Sequence, residues 1–259
     1  MIAKKDTFIK RFSVYRIIEH HVNAIIFAIL VVTGLSQKFH DSGFSQWLII
    51  KMGGIDSVRQ IHRYAGFVFT FLLVFHAVNA AFGIVYRKWQ PSMVVNIKDF
   101  RDAIENIFFY FGLKNHPARC DRYDYRQKFE YWGVIAGGFL MLTTGFILLF
   151  PVEAARFLPG EVIPAAKTAH TNEAMLAFLV IAIWHIYNAI FSPEVFPLDT
   201  AIFTGKISIK RMLHEHPLEL ASIEGVSAEE LLKQSKTKHA VPESGIHRAQ
   251  PACSDKELN

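Results

Sequence analysis

The feature that most constrains this chain is a set of four long stretches that contain no Asp, Glu, Lys or Arg. They contain 16, 23, 22 and 19 residues and run over Val22–Gln37, Tyr64–Tyr86, Tyr131–Val152 and Ala174–Ser192. A helix needs about 20 predominantly apolar residues to cross the hydrocarbon core of a bilayer, and the first stretch reaches that length if its helix starts near Ile17. The sequence therefore predicts an integral membrane protein rather than an ordinary soluble domain.

The breaks between these stretches predict an all-α fold, a four-helix transmembrane bundle. We expect the helices over about 14–37, 56–86, 127–151 and 164–192. Pro151 and Pro193 lie where the third and fourth helices should end. The chain then divides into an N-terminal segment at 1–16, a membrane domain at 17–212 and a polar, mostly flexible tail at 213–259. We expect the tail histidines (His214, His216, His239 and His247) to be solvated.

Lysine and arginine are distributed unequally between alternate connecting segments. Segments 1–19, 87–130 and 194–212 carry 17 of them, whereas 37–63 and 153–173 carry 6. Because basic residues concentrate on the cytoplasmic side of membrane proteins, we expect both termini and the long 87–126 loop in the cytoplasm. The expected location is a bacterial cytoplasmic membrane, which the chain crosses several times.

Cysteine content excludes several kinds of redox site. Cys120 and Cys253 are the two cysteines, too few for a typical iron–sulfur cluster or a four-Cys zinc site. Neither begins a C-x-x-C-H haem attachment motif. If the protein handles electrons, its redox group must be held non-covalently.

Histidines are the candidate functional residues. Six lie in or beside the apolar stretches: His20, His21, His62, His76, His170 and His185. Ionisable residues at membrane depth are costly and mark functional sites. By depth, four of them form two layers, an outer one and an inner one, each contributed by two helices. Paired neutral imidazoles in the core of a helical bundle suit the iron of haem b.

The layers admit two pairing schemes. In the first, His62 pairs with His170 in the outer layer and His20 pairs with His185 in the inner layer. In the second, His76 replaces His20, as in the cytochrome b of respiratory bc complexes. Helical geometry leaves both schemes open. The alternative from another class is a haem-free transporter or assembly factor, which should carry buried carboxylates, and the four charge-free stretches contain none.

Short motifs follow one another along residues 12–217. They are Glu19-His20, Val32-Thr33-Gly34-Leu35, Arg59-Gln60-Ile61-His62, Arg122-Tyr123-Asp124-Tyr125-Arg126-Gln127-Lys128 leading to Trp132, Ala169-His170, Trp184-His185-Ile186-Tyr187 and His214-Glu215-His216-Pro217. In order and spacing they resemble the four-helix cytochrome b subunits of respiratory formate dehydrogenases and nickel–iron hydrogenases. The gamma subunit of formate dehydrogenase is the closer resemblance.

The resemblance implies two haem b groups, an outer one on His62 and His170 and an inner one on His20 and His185, and it leaves His76 spare. It also implies a menaquinone site beside the inner haem, at His185 and Asp124. Two departures stand out. The histidines of the fourth helix are 15 residues apart, whereas the formate dehydrogenase pattern has 14, and Asp124 and Arg126 replace an Asn and a Gly.

We therefore expect a di-haem subunit of an oxidoreductase complex in anaerobic respiration. It would pass electrons from a partner at the outer face to the quinone pool near the cytoplasm. The chain carries no molybdopterin, nickel or iron–sulfur signature, so substrate catalysis is expected on an iron–sulfur subunit and a catalytic subunit. No nucleic-acid partner is expected. Alternatives are the cytochrome subunit of a hydrogenase and that of a quinol-oxidising reductase of thiosulfate or bc type.

Overall fold

The computed structural model describes residues 8–193 and 195–239 of the 259-residue chain. In chain order the elements are β1 (Phe8–Lys10), α1 (Val14–Lys38), α2 (Gly43–Lys51), α3 (Ile55–Val85), α4 (Ile97–Tyr110), α5 (Tyr125–Leu149), α6 (Pro151–Phe157), α7 (Val162–Phe191), α8 (Ala201–Thr204), β2 (Lys206–Ser208), α9 (Ile209–Glu215), α10 (Pro217–Glu224) and α11 (Ala228–His239).

Four of the helices in the described part of the chain, α1, α3, α5 and α7, are long and apolar enough to cross a membrane. This confirms the prediction of an all-α protein with four membrane-crossing helices. Each begins and ends within two residues of its predicted bounds. Helix α1 packs against α3 and α7, and α5 packs against α3 and α7. The four helices therefore form a closed ring around a common interior.

Helix α7 changes its winding halfway along. It is α-helical over Val162–Leu179 and π-helical over Val180–His185 and Tyr187–Phe191. A π-helical turn takes up an extra residue without breaking the helix, and such turns are frequent at functional sites. The π-helical region thus gives a structural reason for the separation of 15 positions from His170 to His185, which is one more than in the pattern that the chain resembles.

The polar C-terminal region folds back onto the N-terminal segment at one end of the bundle. Strand β1 pairs with β2 in antiparallel register, Ile9 opposite Ile207. A buried apolar cluster of Ile207, Met212, Leu220 and Leu231 lies under α9, α10 and α11. We call these two strands and three helices the C-terminal cap. The prediction of a flexible tail is therefore wrong for residues 213–239, and residues 240–259 lie outside the described part.

A buried ion-pair network attaches the cap to the rest of the protein. The Arg11 guanidinium donates to the Glu219 carboxylate, and Arg122 donates to the other oxygen of Glu219 at 2.7 Å. Arg11 and Glu219 are 5% and 8% exposed. Breaking such a buried pair leaves an uncompensated charge, at a cost of about 3–5 kcal/mol. The network therefore gives the cap a fixed position against the loop that precedes α5.

His216 lies inside this network, so the prediction that it is solvated is wrong. Its Nδ1 donates to the backbone carbonyl of Asp121 at 2.6 Å, and its Nε2 lies 3.1 Å from a guanidinium nitrogen of Arg11. Burial, reinforced by the positive charge of Arg11, lowers the pKa of His216 to about 4. The neutral ring accepts from Arg11 through Nε2, and a protonated ring could not.

Helix α4 has an inverted polarity. Its buried residues are polar, namely Asp99, Asp102 and Asn106. Asp99 pairs with the buried Lys128 of α5 at 2.9 Å. Its exposed residues are largely apolar, including Ile97, Phe100, Ile104, Ile107, Phe108 and Tyr110. This distribution is typical of a helix that lies at a membrane interface with its apolar face toward the lipid.

Candidate functional site

The outer layer of histidines forms a pair in the bundle interior. His62 of α3 and His170 of α7 lie with their ring centroids 6.4 Å apart and their planes at 74°. Two metal–nitrogen bonds of about 2 Å, with about 1 Å from each nitrogen to its ring centroid, would separate two centroids by about 6 Å. The separation of the two rings therefore suits a metal ion between them.

Each of these two rings is held through Nδ1 by a threonine of the neighbouring helix. The Thr33 hydroxyl donates to the Ile29 carbonyl at 2.7 Å and lies 2.8 Å from His62 Nδ1. Because its single proton is used, Thr33 Oγ1 accepts from the Nδ1–H of His62. Thr144 holds His170 in the same way, at 2.9 Å, while donating to a carbonyl one turn earlier. In both rings the lone pair is then on Nε2, the nitrogen left for a metal.

A glycine follows each of these threonines. A Cβ at Gly34 would approach Cε1 of His62 to 3.3 Å, and one at Gly145 would approach Cε1 of His170 to 3.4 Å. A Cβ at Gly34 would thus press against the ring of His62, and a Cβ at Gly145 would be in van der Waals contact with the ring of His170. These two glycines therefore stand beside two of the candidate ligands. Gly138 instead packs against Leu73 of α3.

The inner layer contains the second pair. His20 of α1 and His185 of α7 have ring centroids 6.1 Å apart and planes at 31°. Nδ1 of His185 donates to Oε1 of Glu130 on α5 at 2.7 Å. Nδ1 of His20 is buried and, within the described part of the chain, has no hydrogen-bond partner. This ring therefore lacks the Nδ1 contact that orients the other three.

These observations fit haem b. Both pairs have the spacing of two axial imidazoles, and three rings leave Nε2 for iron. Both pairs are contributed by two different helices, as cofactor sites in bundle cores are. A four-coordinate zinc site is not supported, because no group of three or more His, Cys, Asp or Glu residues with metal-ligand geometry occurs in the described residues.

His76 has different surroundings. Its Nδ1 lies 2.8 Å from Oε1 of Glu19, and its Nε2 lies 2.9 Å from the hydroxyl of Tyr131. Arg16 completes the network by donating to Glu19 at 2.8 Å. Both ring nitrogens of His76 are thus engaged with side chains of α1 and α5. The structure therefore places His20, and not His76, opposite His185. His21 also turns away from the pair, since its Nδ1 donates to a carbonyl of its own helix at 2.7 Å.

Carboxylates are absent from the four charge-free stretches but not from the helices that contain these stretches. Glu19, Glu130 and Glu173 lie within α1, α5 and α7, outside the charge-free stretches but inside the helices that contain them. Two of them contact histidines, and the carboxylate of Glu173 lies against Gly137. Polar groups are tolerated in membrane helices where they face the bundle interior. The helices can therefore include these carboxylates and extend beyond the apolar stretches.

Asp124 is a capping residue in this structure. Its Oδ1 accepts from the backbone N–H of Gln127 at 2.8 Å, and the side-chain oxygen of Gln127 accepts from the backbone N–H of Asp124. The two hydrogen bonds form a capping box for α5. Its Oδ2 accepts from Nε and Nη2 of Arg126 at 2.9 and 2.7 Å. A quinone contact at Asp124 would therefore compete with Arg126. Asp124 lies at the end of α5 that contains Glu130, one and a half turns before it.

Known proteins similar to this chain are cytochromes b, which agrees with a haem-binding role for the paired histidines. The sequence pattern of the family described as prokaryotic cytochrome b561 matches residues 11–205. The chain is also 23% identical over 209 residues to the cytochrome b556(Fdn) subunit of nitrate-inducible formate dehydrogenase from Escherichia coli K12. That alignment covers 81% of this chain and 88% of the relative. The corresponding subunits of Escherichia coli O157:H7 and Shigella flexneri match equally well.

The family implies haem b, and the paired histidines supply what haem b requires. The four apolar helices indicate an integral membrane protein, and the family indicates an electron-transfer subunit. The chain belongs to the prokaryotic cytochrome b561 family.

Proposed function

We propose that this chain is the di-haem, quinone-reactive membrane subunit of a respiratory complex of formate dehydrogenase type. The observation that carries the proposal is the presence of two histidine pairs of similar spacing, 6.4 and 6.1 Å between centroids, at different depths of one bundle. His170 and His185 are 15 residues apart on α7, which corresponds to roughly 20 Å along a helix axis. Two haem levels at that separation would connect the two faces of the membrane.

The proposed ligands are His62 and His170 for the outer haem b and His20 and His185 for the inner one. When bound, haem b supplies one-electron oxidation and reduction at each level. The protein supplies the four ligands and fixes the tautomer of three of them. Thr33 and Thr144 fix the outer rings, and Glu130 fixes His185.

The orientation that we propose puts both termini and the 87–126 loop in the cytoplasm of a bacterial inner membrane, in agreement with the uneven charge of the connecting segments. Strand pairing of β1 with β2 brings the two ends of the membrane domain to the same face of the bundle. The connections at 39–54 and 150–161 would then face outward. They are where we place the contact with the expected iron–sulfur subunit and catalytic subunit. The name of the relative, which is one subunit of a formate dehydrogenase, supports the presence of partner subunits.

Quinone reduction near the cytoplasm takes two electrons and two protons and yields a quinol. We place the quinone, menaquinone by resemblance, beside His185 and the segment at Asp124. If electrons arrive from the outer face and protons from the cytoplasm, charge moves across the membrane. Each charge moved against about 100 mV stores about 2.3 kcal/mol, so this arrangement would couple the reaction to the membrane potential.

The test is anaerobic mixing of the purified, dithionite-reduced protein, freed of excess reductant, with menadione while the haem absorbance is followed by stopped flow. We expect both haems to be oxidised, and Asp124→Asn to slow the reaction. Asp41→Asn is the matched control, because Asp41 lies at the opposite end of the bundle and its side chain is 92% exposed. A protein whose reduced haems are oxidised by ferricyanide but by no quinone would contradict the proposed quinone reaction.

A further inference from the structure

The four candidate haem ligands differ in what holds their second ring nitrogen. His62 and His170 donate to the neutral hydroxyls of Thr33 and Thr144. His185 donates to the carboxylate of Glu130 at 2.7 Å. The two layers have similar spacing between their imidazoles, although Nδ1 of His20 in the inner layer has no hydrogen-bond partner in the described part of the chain. Among the Nδ1 contacts of the three other rings, Glu130 supplies the one charged acceptor.

A carboxylate acceptor changes the imidazole more than a hydroxyl does. Charge-assisted hydrogen bonds are about twice as strong as neutral ones, and a carboxylate on the second nitrogen raises the basicity of a metal-bound imidazole. A more basic ligand stabilises ferric over ferrous iron. The midpoint potential of the haem that it holds is then lower, because hydrogen bonds to the axial ligand are one means by which proteins tune haem.

The surroundings of Glu130 keep this effect strong. The Glu130 side chain is 15% exposed, so water screens its charge weakly. The cations nearest to it along the chain have other partners. Lys128 pairs with Asp99 at 2.9 Å, and Arg126 pairs with Asp124. Tyr131, the residue after Glu130, belongs to the separate hydrogen-bond network of His76, Glu19 and Arg16.

We propose that Glu130 is a positioning residue that lowers the midpoint potential of the inner haem through its hydrogen bond to His185. This proposal rests on the proposed function, since it presupposes haem on His20 and His185. A lower potential makes the reduced inner haem a stronger donor to a quinone at the adjacent face. The outer haem, held by threonine-bound histidines, would not share this contribution.

The experiment is an anaerobic redox titration of the purified protein, with the midpoint potential of each haem read from its absorbance. Glu130→Gln keeps an oxygen acceptor and removes the charge. We expect it to shift the midpoint of one haem to a more positive value and to change the low-spin ferric signal of that haem in electron paramagnetic resonance. The other haem should keep its potential. Thr144→Val is the matched control, and its effect should fall on the other haem.

Two outcomes separate this proposal from the proposed function. Wild-type protein that purifies without haem would overturn the proposed function. Wild-type protein with two haems whose potentials are unmoved, or equally moved, by Glu130→Gln would overturn the role of Glu130 alone. If Glu130→Gln does not retain both haems, Glu130→Asp replaces it. The shorter carboxylate should then shift the same haem upward by a smaller amount, and an unchanged potential would overturn the proposal.

Discussion

The hydroxyl of Thr33 lies 2.8 Å from Nδ1 of His62, and its own proton is already given to the carbonyl of Ile29. The direction of the hydrogen bond follows, because a hydroxyl has a single proton to give. His62 must carry its hydrogen on Nδ1, which leaves the Nε2 lone pair for a metal. One threonine therefore selects the tautomer that an axial ligand needs.

This relationship predicts the effect of replacing either threonine by valine, which has a similar shape. Loss of an orienting contact to a metal-bound histidine typically costs 10- to 100-fold in metal affinity. We expect Thr33→Val and Thr144→Val each to weaken the outer haem by about that factor and to leave the inner haem bound. Competition with apo-myoglobin, followed in the Soret band, measures the effect. Equal weakening of both haems would contradict the assignment of these threonines to one layer.

The network around His76 predicts a structural role for that residue. His76 connects Glu19 of α1 to Tyr131 of α5, and its side chain is 19% exposed. His76→Leu would leave a carboxylate and a phenol partly unsatisfied, at a cost of about 1–3 kcal/mol. We expect a lower unfolding temperature in detergent with both haems retained. Asn79→Leu, one turn further along α3, is the comparison variant. A His76→Leu protein of wild-type stability would show that the network contributes nothing.

The low pKa of His216 predicts that the C-terminal cap is sensitive to acid. A docked His216 titrates at about 4, whereas an exposed histidine titrates near 6.5. Because the folded value is the lower one, the stabilising contribution is complete above about pH 6.5 and is lost as the pH falls toward 4, by up to about 1.4 kcal/mol per pH unit.

Hydrogen exchange of α9 and α10 at pH 7.5, 6.0 and 5.0, corrected for the intrinsic exchange rate, measures this dependence. We expect weaker protection at the lower pH values, while α3 and α5 stay protected. His216→Gln should flatten the pH dependence. A wild-type cap whose corrected protection does not change over this range would be evidence against the role given to His216.

The proposed orientation predicts which loops can be labelled from outside the cell. Asp41→Cys lies on the predicted outer side and Lys114→Cys on the predicted cytoplasmic side. Burial, with Asp124 and Asp102 nearby, raises the pKa of the Cys120 thiol to about 12, so its background labelling should be low in a Cys253→Ser chain. An impermeant maleimide should label Asp41→Cys on intact cells and Lys114→Cys only after the membrane is broken. Labelling of Lys114→Cys on intact cells, with Asp41→Cys labelled only after the membrane is broken, would show that the orientation is the opposite of the proposed one.

The helices and the layers of histidines could be predicted from the sequence because both depend on local patterns. Charge-free stretches mark the membrane spans, and the separation of His170 from His185 places them at different depths. The supporting residues could not be found in the same way. Thr33 and Thr144 each precede a glycine in an apolar stretch. The role of this repeated Thr-Gly dipeptide can be recognised only when the histidine on the neighbouring helix is known.

Other features depend on contacts between distant segments. The contacts of Glu19 and Glu130 with histidines could not be predicted from the charge-free stretches, because both carboxylates lie where the helices extend beyond those stretches. The cap could not be predicted because its composition is polar. Its stability comes from a few apolar residues, such as Met212 and Leu220, together with the buried contact of Arg11 with Glu219. The π-helical end of α7 is indicated in the sequence by one feature, the extra residue between the two histidines of this helix.

Each of the two histidine pairs is proposed to hold one haem b. The most direct measurement is the haem b content per polypeptide by pyridine haemochrome, on the purified wild type and on His62→Ala, His20→Ala and His76→Ala. The account predicts two haems in the wild type and in His76→Ala, and one in each of the other two. A wild type without haem, or a loss of haem in His76→Ala but not in His20→Ala, would contradict it.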